Sequence, residues 1–409
     1  MRIIGLLCGA LLLLSGCVTG AGRTPAPQPV IESRPQVSQD QFPIAPKPVA
    51  YDVLPGWGDA NLAPGLSALR RSCEVFEKRS GQSLLSENAP WAGRVSEWTP
   101  SCAALDVIAD DRSARAVLQA LFTPVEIVSP SGDSRFTGYF EPTYQARLRP
   151  EPPYTEPVPG RPNDLITSSG NVYQTLPDGS RRSYPIRAEI TRKGVRPLAY
   201  AHPADVFFLQ IQGSGRLVLP DGRTLRAVYA ANNGQPFRST ANWLLERGWI
   251  ERGEASMKGI RAWMDRTTPA RAREAMNSNP RFVFFDIQPE GDPRLGPNGS
   301  FGVPLTPLGS MAVDLSHHAG GVPMFVQTTA PGLGGNWSGL VVSQDTGGAI
   351  KGPVRGDLYF GTGERAGASA DTVNAPGRLW VLLPSAVAER MRNRNVARTS
   401  GSGPIVLTP

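Results

Sequence analysis

The chain has 409 residues, enough for two domains with sizeable cores, and a formal net charge of +7. This basic excess, 42 Lys plus Arg against 35 Asp plus Glu, is spread along the chain and suits an anionic polymer as partner. The histidines are His202, His317 and His318, and the adjacent pair cannot supply the i, i+4 spacing of a helical zinc site. The composition therefore predicts no metal site.

The first residues predict export from the cytoplasm. Residues 3–14 form an apolar run that is shorter than the roughly 20 residues a membrane-spanning helix needs. The run closes with Leu14-Ser15-Gly16-Cys17, which is similar to a bacterial lipobox. Residues 1–17 are therefore predicted to be a lipoprotein signal peptide, with Cys17 as the lipidated residue. The alternative is an ordinary secretory signal with a chance cysteine.

The next segment predicts a tether. Val18 stands where an aspartate would indicate retention in the inner membrane, so the similarity to sorted lipoproteins favours the outer membrane of a Gram-negative bacterium, facing the periplasm. Residues 18–50 are dense in proline and polar residues and cannot bury apolar area, which predicts an extended periplasmic tether. An exported chain is not expected to meet nucleic acid. An anionic glycan or peptide of the cell envelope fits the positive charge better.

Cysteine use predicts one disulfide. Cys8 leaves with the signal peptide and Cys17 takes the lipid, so Cys73 and Cys102 remain as an even pair in an exported chain. Their bridge would close a loop of about 30 residues and contribute roughly 3–4 kcal/mol. The alternative is two buried free thiols.

Periodicity predicts helices at the start of the body, then strands, then helices, then strands again. The predicted helices are residues 62–80, 113–121 and several within 239–277, with helix starts at Ser239-Thr240 and Thr268-Pro269. The predicted strands are residues 136–140, 206–211, 216–219, 225–230, 281–285, 303–305, 324–327, 340–342, 357–360 and 379–383. The fold class is therefore mainly β with N-terminal helices, an α+β protein.

One acidic segment contains the candidate catalytic residue. The apolar residues 340–342 lead into Ser343-Gln344-Asp345-Thr346-Gly347-Gly348, where small residues leave room for a bulky ligand. Cleavage of a glycosidic bond needs an acid that stays protonated near neutral pH, and burial or a neighbouring carboxylate provides this. Asp345 fits that role, with Asp314 and Asp357 as supporting carboxylates. The alternative is that these aspartates, Asp345 included, only accept backbone hydrogen bonds in turns.

Two further segments are rich in groups that bind sugars. Residues 207–215 and 229–239 supply amides, a hydroxyl and aromatic rings, which hydrogen-bond sugar hydroxyls and stack on sugar faces. An alternative is that these residues form hairpin turns. The candidate saccharide ligands from these segments are Gln210, Gln212, Ser214, Gly215, Tyr229 and Asn233.

In combination, several segments resemble the membrane-bound lytic transglycosylase A family, whose C-terminal part is the 3D domain. The segments are Thr137-Gly138-Tyr139-Phe140-Glu141-Pro142, Arg187-Ala188-Glu189-Ile190, Gln210-Ile211-Gln212-Gly213-Ser214-Gly215, Asn279-Pro280-Arg281-Phe282-Val283-Phe284-Phe285, the Asp345 segment and Gly377-Arg378-Leu379-Trp380-Val381-Leu382. The resemblance implies a double-psi β-barrel in a large domain of residues 51–132 and 278–390, with the 3D region at 303–383. It also implies a second, barrel-like β domain inserted at 133–277 and a groove between the two.

The family resemblance further implies an activity. Members cleave the β-1,4 bond between N-acetylmuramic acid and N-acetylglucosamine without water and leave a 1,6-anhydromuramic end. Asp345 matches the single acid and base of the family, and Tyr139, Gly347, Gly348 and Lys351 join the candidate substrate ligands. No cofactor is implied. The implied partners are peptidoglycan strands, the outer membrane through the lipid anchor, and proteins of wall synthesis or remodelling, with the chain itself a monomer.

One departure from the family pattern concerns the loop after Tyr229. The family pattern Tyr-x-Gly-Lys-Asn-Gly reads Tyr229-Ala230-Ala231-Asn232-Asn233-Gly234 here, so the role of that loop is open. Two other functions compete with the transglycosylase reading. One is a conventional hydrolase of the same bond that uses Asp357 or Asp314 to activate water, and the other is a murein-binding lipoprotein without catalysis.

Overall fold

The structure, a computed structural model, describes residues 47–105, 108 and 111–400, with only the backbone for Asp111 and residues 393–400. The predicted signal peptide, Cys17 and the tether up to residue 46 lie outside the described residues. Within the described ranges, no helix is both long enough and apolar enough to cross a membrane.

The helices fall into three groups along the chain, before, within and after the central strands. They are α1 (Ala63–Glu77), α2 (Thr99–Ala104), α3 (Asp111–Leu121), α4 (Arg187–Lys193), α5 (Pro203–Gln212), α6 (Thr240–Glu246), α7 (Met257–Arg266), α8 (Pro269–Asn277), α9 (Gly363–Ala370) and α10 (Ser385–Ser400). The starts of α6 and α8 are those that the sequence predicts, because Ser239 and Thr268 accept backbone N–H groups there.

Most of the strands follow one another in runs between these helices, the longest runs being residues 122–183 and 283–362. They are β1 (Lys47–Pro48), β2 (Phe122–Ile127), β3 (Arg135–Glu141), β4 (Thr143–Arg147), β5 (Glu156–Pro159), β6 (Leu165–Ser168), β7 (Asn171–Thr175), β8 (Arg181–Ser183), β9 (Pro197–Ala201), β10 (Gly215–Val218), β11 (Thr224–Asn232), β12 (Val283–Gln288), β13 (Ser310–Val313), β14 (Pro323–Ala330), β15 (Gly335–Asp345), β16 (Arg355–Thr362), β17 (Asn374–Ala375) and β18 (Gly377–Pro384).

The strands form two main sheets and a small third one. The nine-stranded sheet has the order β1-β2-β18-β14-β15-β13-β16-β3-β17, the six-stranded sheet β12-β11-β10-β4-β9-β5, and the three-stranded sheet β6-β7-β8. The chain leaves the nine-stranded sheet after β3 and returns to it at β13. The mixed helix and sheet fold that the sequence predicts is therefore confirmed. The sheets divide at a different point from the predicted boundary at residue 278, because β12 pairs with β11 in the six-stranded sheet.

The N-terminal helices pack on the nine-stranded sheet. Helix α1 has a proline in its first turn and buries Leu66, Leu69, Cys73 and Phe76, which recur at helical spacing. A disulfide joins Cys73 in α1 to Cys102 in α2, with the two Cα atoms 5.6 Å apart. The bridge therefore ties α2 to α1, the helix that packs on this sheet.

Reduction of this disulfide is expected to lower the free energy of unfolding by about 3 kcal/mol, because the bridge restricts a loop of 29 residues in the unfolded chain. Urea unfolding with and without reductant measures the difference. A variant with both Cys73→Ala and Cys102→Ala is the control, since its unfolding should not respond to reductant. Equal midpoints for the oxidised and reduced native chain would contradict the prediction.

One predicted strand is wrong. Residues 206–211 belong to helix α5, whose residues 204–210 are all buried. A short apolar run that is buried on every side has the same pattern in a strand and in a helix, so periodicity does not separate the two. Two boundary signals did mark the helix: Pro203 at its first position, and Gly213 just after its end with φ +84°.

Two other predicted strands differ in detail. Residues 303–305 form a turn with a single bridge between Asn298 and Pro304 rather than a strand. The strand predicted at 281–285 begins two residues later, as β12, because Arg281 and Phe282 still belong to the connection from α8. The remaining predicted strands each overlap one of the observed strands.

Candidate active site

A groove of about 330 Å³ lies between the nine-stranded and six-stranded sheets. The larger sheet contributes residues from β3, β13, β15 and β16, and the smaller sheet contributes residues from β11 and β12 together with helix α5. The lining includes Tyr139, Gln210, Gln212, Tyr229, Phe237, Arg281, Val283, Ala312, Asp345, Gly347, Gly348, Arg355 and Asp357. Both carboxylates of the groove come from the larger sheet.

Asp345 is the last residue of β15 and points into the groove. Its Oδ1 accepts the backbone N–H of Ser300 at 2.9 Å, and its Oδ2 accepts the hydroxyl of Tyr139 at 2.8 Å. Burial raises the pKa of Asp345 above its ordinary value, while these two hydrogen bonds oppose the rise. Asp345 therefore keeps its proton to a higher pH than an exposed aspartate does.

Asp357 lies two strands away from Asp345. Strand β13 separates them, and Ala312 pairs with Asp345 on one side and with Asp357 on the other, so the backbones stand about 10 Å apart at the usual strand spacing. Oδ1 of Asp357 accepts the Thr137 hydroxyl at 2.6 Å. Burial raises the pKa of Asp357, and the nearby charge of Asp345 raises it further. The hydrogen bond from Thr137 and the positive charge of Arg355 lower this pKa and so oppose the rise.

Asp314 does not line the groove. Its side chain is buried, with Oδ1 accepting the Ser316 hydroxyl at 2.7 Å and Oδ2 accepting the Gly352 N–H at 2.9 Å. Burial alone would raise the pKa of Asp314, but these hydrogen bonds hold it below its ordinary value. Lys351 is exposed with its Nζ 3.7 Å from Asp314. This pair therefore braces the loop after Asp345 rather than facing the groove.

The other candidate ligands divide into two sets. Tyr139, Gln210, Gln212, Tyr229, Gly347 and Gly348 line the groove, whereas Ser214, Gly215, Asn233 and Lys351 do not. Asn233 is 1% exposed, and its amide bonds the backbone of Pro185, Pro280 and Phe282. It holds two connections of the smaller sheet together. Gly215 is buried at the start of β10.

Gln210 has a fixed orientation because of a buried arginine. Arg187 donates to Oε1 of Gln210, and Nε2 of Gln210 donates to the Val283 carbonyl at 3.0 Å. The guanidinium of Arg187 lies 5.1 Å from the ring centres of both Phe207 and Phe282, and burial lowers its pKa to about 9. Gln210 consequently keeps one N–H for a ligand in the groove.

Sequence reasoning missed four residues that shape the site. Ser300 and Thr137 hold the two carboxylates, while Arg281 and Arg355 bring positive charge to the groove walls. Thr137 and Arg281 lie inside segments that carry the family resemblance, and Arg355 stands two residues before Asp357. Ser300 carried no signal in the sequence, although its backbone N–H donates to Asp345 and its hydroxyl also lowers the pKa of that group.

Tyr139→Phe is expected to lower the maximal rate of glycan cleavage about tenfold, because a hydrogen bond to a charged group is lost. It should also move the alkaline fall of the pH–rate profile upward. The Tyr139 hydroxyl stabilises charged Asp345, so its removal raises the pKa through which the acid form disappears. Tyr359→Phe is the control, since the Tyr359 ring packs 5.2 Å from that of Tyr139. Identical pH profiles for Tyr139→Phe and the native chain would contradict the prediction.

Two parts of the chain match the models of known domains. Residues 135–286 match the model of the MltA specific insert domain, and residues 309–383 match the model of the 3D domain. A membrane-bound lytic murein transglycosylase A of Vibrio cholerae is 35% identical over 260 residues, which are 61% of this chain and 66% of the relative. The chain belongs to the membrane-bound lytic murein transglycosylase A family. The match spans just under two thirds of the length of the curated relatives.

Solved structures of the family share this fold. A membrane-bound lytic murein transglycosylase from Agrobacterium tumefaciens has a TM-score of 0.75 at 27% identity, covering 85% of this chain and 99% of that one. A family member from Escherichia coli, solved with bound chitohexaose, has a TM-score of 0.60 at 27% identity and covers 83% of this chain and 91% of that one. The arrangement of helices and sheets described above therefore belongs to the family fold.

Proposed function

We propose that this protein is a lytic transglycosylase of peptidoglycan. It cleaves the β-1,4 bond between N-acetylmuramic acid and N-acetylglucosamine and leaves a 1,6-anhydromuramic end. The observation that carries the proposal is Asp345, a carboxyl group with a raised pKa at the end of β15 in a groove of the family fold. Family membership supports it, and so does the chitohexaose bound by the Escherichia coli relative.

The hydrogen bonds of Asp345 indicate which oxygen carries the proton. Oδ1 faces the Ser300 N–H, which can only donate, so a proton on Oδ1 would be repelled. Oδ2 faces the Tyr139 hydroxyl, which donates to the carboxylate and accepts from the carboxylic acid. The proton of the acid form is therefore placed on Oδ2, and it must turn from Tyr139 towards the glycosidic oxygen before it is transferred. The Tyr139 hydroxyl then rotates and donates to the carboxylate that remains.

The reaction proceeds with one carboxyl group in two roles. Asp345 gives its proton to the glycosidic oxygen as the bond from that oxygen to the muramyl C1 breaks. The C6 hydroxyl of the same sugar then attacks C1, and the Asp345 carboxylate takes the hydroxyl proton. One bond forms and one breaks, no water is consumed, and Asp345 regains its proton. An intramolecular nucleophile has an entropic advantage over water when the sugar is held in place.

The surroundings of the other aspartates favour this mechanism over hydrolysis. A hydrolase needs a second carboxylate that binds and activates water. Asp314 lies outside the groove lining and accepts hydrogen bonds from its own turn. Asp357 accepts the Thr137 hydroxyl, which Arg355 also contacts at 2.9 Å. Both are therefore proposed to support the site without taking part in proton transfer.

The rest of the groove is proposed to hold the sugar chain. Tyr229 is 49% exposed at the groove wall and offers a ring face for stacking on a sugar. Gln210 and Gln212 offer amide groups to hydroxyl or acetamido groups, and Gly347 and Gly348 leave space for a bulky ring.

The finer architecture and the location complete the proposal. The nine-stranded sheet is proposed to follow the double-psi β-barrel topology of the family, with the six-stranded sheet as the core of the insert. Lipidation of Cys17 and the tether of residues 18–50 are proposed to hold the monomer at the outer membrane, facing the periplasm. Proteins of wall synthesis or remodelling are its proposed partners.

Digestion of purified murein sacculi by the full-length protein tests the activity. The released muropeptides are analysed by mass and by reduction with borohydride. Anhydro ends, about 18 Da lighter than hydrolysed ends because one water is not added, and resistant to reduction, are expected. Hydrated, reducible ends would establish a hydrolase instead, and binding of sacculi without release would favour a binding protein.

A further inference from the structure

A second cavity lies on the insert, apart from the groove residues. It encloses about 670 Å³ between the hairpin sheet β6-β7-β8, the end of helix α4 and strand β12. None of the groove residues named above lines it. The catalytic proposal makes no use of this pocket, which is called the insert pocket below.

Positive charge dominates the insert pocket. Four cations line it, Arg182, Arg192, Lys193 and Arg196, against two carboxylates. Arg192, Lys193 and Arg196 are exposed, and among the described residues none of the three has a side-chain ion pair or hydrogen bond. Three uncompensated cations around one concavity attract an anionic group.

The position of Arg196 depends on a glycine. A Cβ atom on Gly160 would come within 2.7 Å of Nη2 of Arg196, so the absence of a side chain at Gly160 lets the guanidinium lie against the backbone. Both residues line the insert pocket. The guanidinium therefore sits at the pocket wall with its donors available to a ligand.

Polar groups on the floor of the pocket are already held in place. Asp164 accepts the Tyr184 hydroxyl at 2.9 Å and the Gln174 amide at 2.8 Å, and Gln174 in turn accepts Nε of Arg182 at 2.9 Å. Asp164 is therefore engaged by its neighbours, and its charge is not directed at the three free cations. Glu189 is exposed and is the remaining carboxylate of the lining.

Apolar residues also line the insert pocket, and one strand separates the pocket from the groove. Phe284 of β12 lines the insert pocket, and its neighbour Val283 lines the groove. Successive side chains of a strand point to opposite faces, so the two cavities border opposite faces of β12. Together with Ile190 and Val195, Phe284 gives the pocket walls that suit a short peptide with small apolar side chains.

We propose that the insert pocket binds the carboxylates of the peptide stems that peptidoglycan carries. Arg192, Lys193 and Arg196 would pair with the carboxylates, and Glu189 would accept an ammonium group of the same peptide. The protein would thereby recognise the peptide as well as the sugar chain. This inference rests on the proposed function, because it takes peptidoglycan as the substrate.

A binding titration tests the pocket without using activity. The probe is a synthetic stem tripeptide, L-alanyl-D-isoglutamyl-diaminopimelate, titrated into the full-length protein in detergent. The double variant Arg192→Gln with Lys193→Gln is expected to bind it about fivefold more weakly, given the usual strength of exposed ion pairs. Lys78→Gln with Arg149→Gln is the matched control, because it removes the same charges from exposed residues outside the pocket. Equal affinities for the two double variants, or no binding by the native chain, would overturn the inference.

Cleavage of two substrates provides the second test. Glycan strands with intact stems are compared with strands whose stems an amidase has removed. The pocket variant should lose about fivefold in kcat/KM on stem-bearing strands and keep its rate on stem-free strands. Equal losses on both substrates would overturn the inference. If the native chain cleaved neither substrate, the proposed function would fail, and the titration alone would still decide whether the pocket binds the peptide.

Discussion

Asp345→Asn is expected to lower the rate of murein cleavage by at least about 10³-fold, since both proton transfers of the proposed reaction pass through this carboxyl group. The amide keeps the shape of the side chain and can still face the Ser300 N–H and the Tyr139 hydroxyl. Binding of the glycan strand should therefore persist. Release of soluble muropeptides measures the rate, and co-sedimentation with sacculi measures the binding.

Asp59→Asn serves as the matched control for this variant. Asp59 is exposed and is not part of the groove lining, so the same chemical change there should leave cleavage unaffected. Circular dichroism verifies that both variants are folded. Substantial cleavage by a folded Asp345→Asn protein would remove Asp345 from the mechanism.

The same variant should be more stable than the native chain at neutral pH. The folded state raises the pKa of Asp345 through burial, so between the ordinary pKa and the raised one the folded chain holds more protons than the unfolded chain. Stability consequently falls as the pH rises through that window, and the native chain carries the full cost above it. An asparagine has no such charge. A gain in stability together with a loss of cleavage would indicate that the fold tolerates a strained acid for the sake of function.

Glu141→Gln is expected to lower the free energy of unfolding by about 3–5 kcal/mol, because it breaks a buried ion cluster and leaves Arg226 without its countercharge. Glu141 ends β3 and is fully buried. Its Oε1 lies 2.9 Å from Nε of Arg226, and its Oε2 lies 3.1 Å from Nε of Arg216 and accepts the Thr362 hydroxyl at 2.9 Å. Urea unfolding of the two proteins measures the difference.

The cluster stands where the chain passes between the two sheets. Glu141 and Thr362 belong to the nine-stranded sheet, and Arg216 and Arg226 belong to the six-stranded sheet. Arg226 also donates to the Leu295 carbonyl at 3.1 Å, on the segment that returns to the larger sheet. Loss of the central charge should therefore loosen the two sheets relative to each other and raise KM more than it lowers kcat.

Glu290→Gln is the control for the cluster. Glu290 contacts the same Arg216 at 2.6 Å, but its side chain is 33% exposed, so its removal should cost only about 0–1 kcal/mol. The comparison separates loss of an arginine contact from loss of the buried charge. If the two variants were equally stable, the buried cluster would not hold the sheets together.

Local patterns in the sequence predicted fewer than half of the helices and strands described above, and one predicted strand was wrong because tertiary burial overrode the pattern. Helices α6 and α8 begin at capping residues that act within one turn, so the sequence alone predicts where they start. Helix α5 is covered by other elements on all sides, and its uniform apolar run resembled a strand. The place of β12 in the six-stranded sheet likewise depends on distant residues, since β12 pairs with β11 and the paired residues are more than 50 positions apart.

Some residues of the candidate site could be predicted from the sequence and others could not. Asp345 was predicted because its segment carries the family resemblance, whereas Ser300, which donates its backbone N–H to Asp345, had no signal in the sequence. Asn233 was predicted to bind sugar because amides form hydrogen bonds with hydroxyl groups. Its amide instead forms hydrogen bonds with the backbone of Pro185, Pro280 and Phe282. The direction of a polar side chain depends on packing, which a list of residue types does not contain.

The sequence by itself determined the mixed helix and sheet class of the fold and indicated Asp345 as the candidate acid, because helix caps, strand alternation and the segment around Asp345 are local features of the chain. Only the tertiary structure decided how the acid is tuned. Tyr139 and Asp345 are 206 positions apart, and their hydrogen bond exists because β3 and β15 are brought into one sheet with β13 and β16 between them. The pKa of Asp345, the bracing role of Asp314 and the positive pocket on the insert depend on burial and on distances across the fold, which no local pattern encodes.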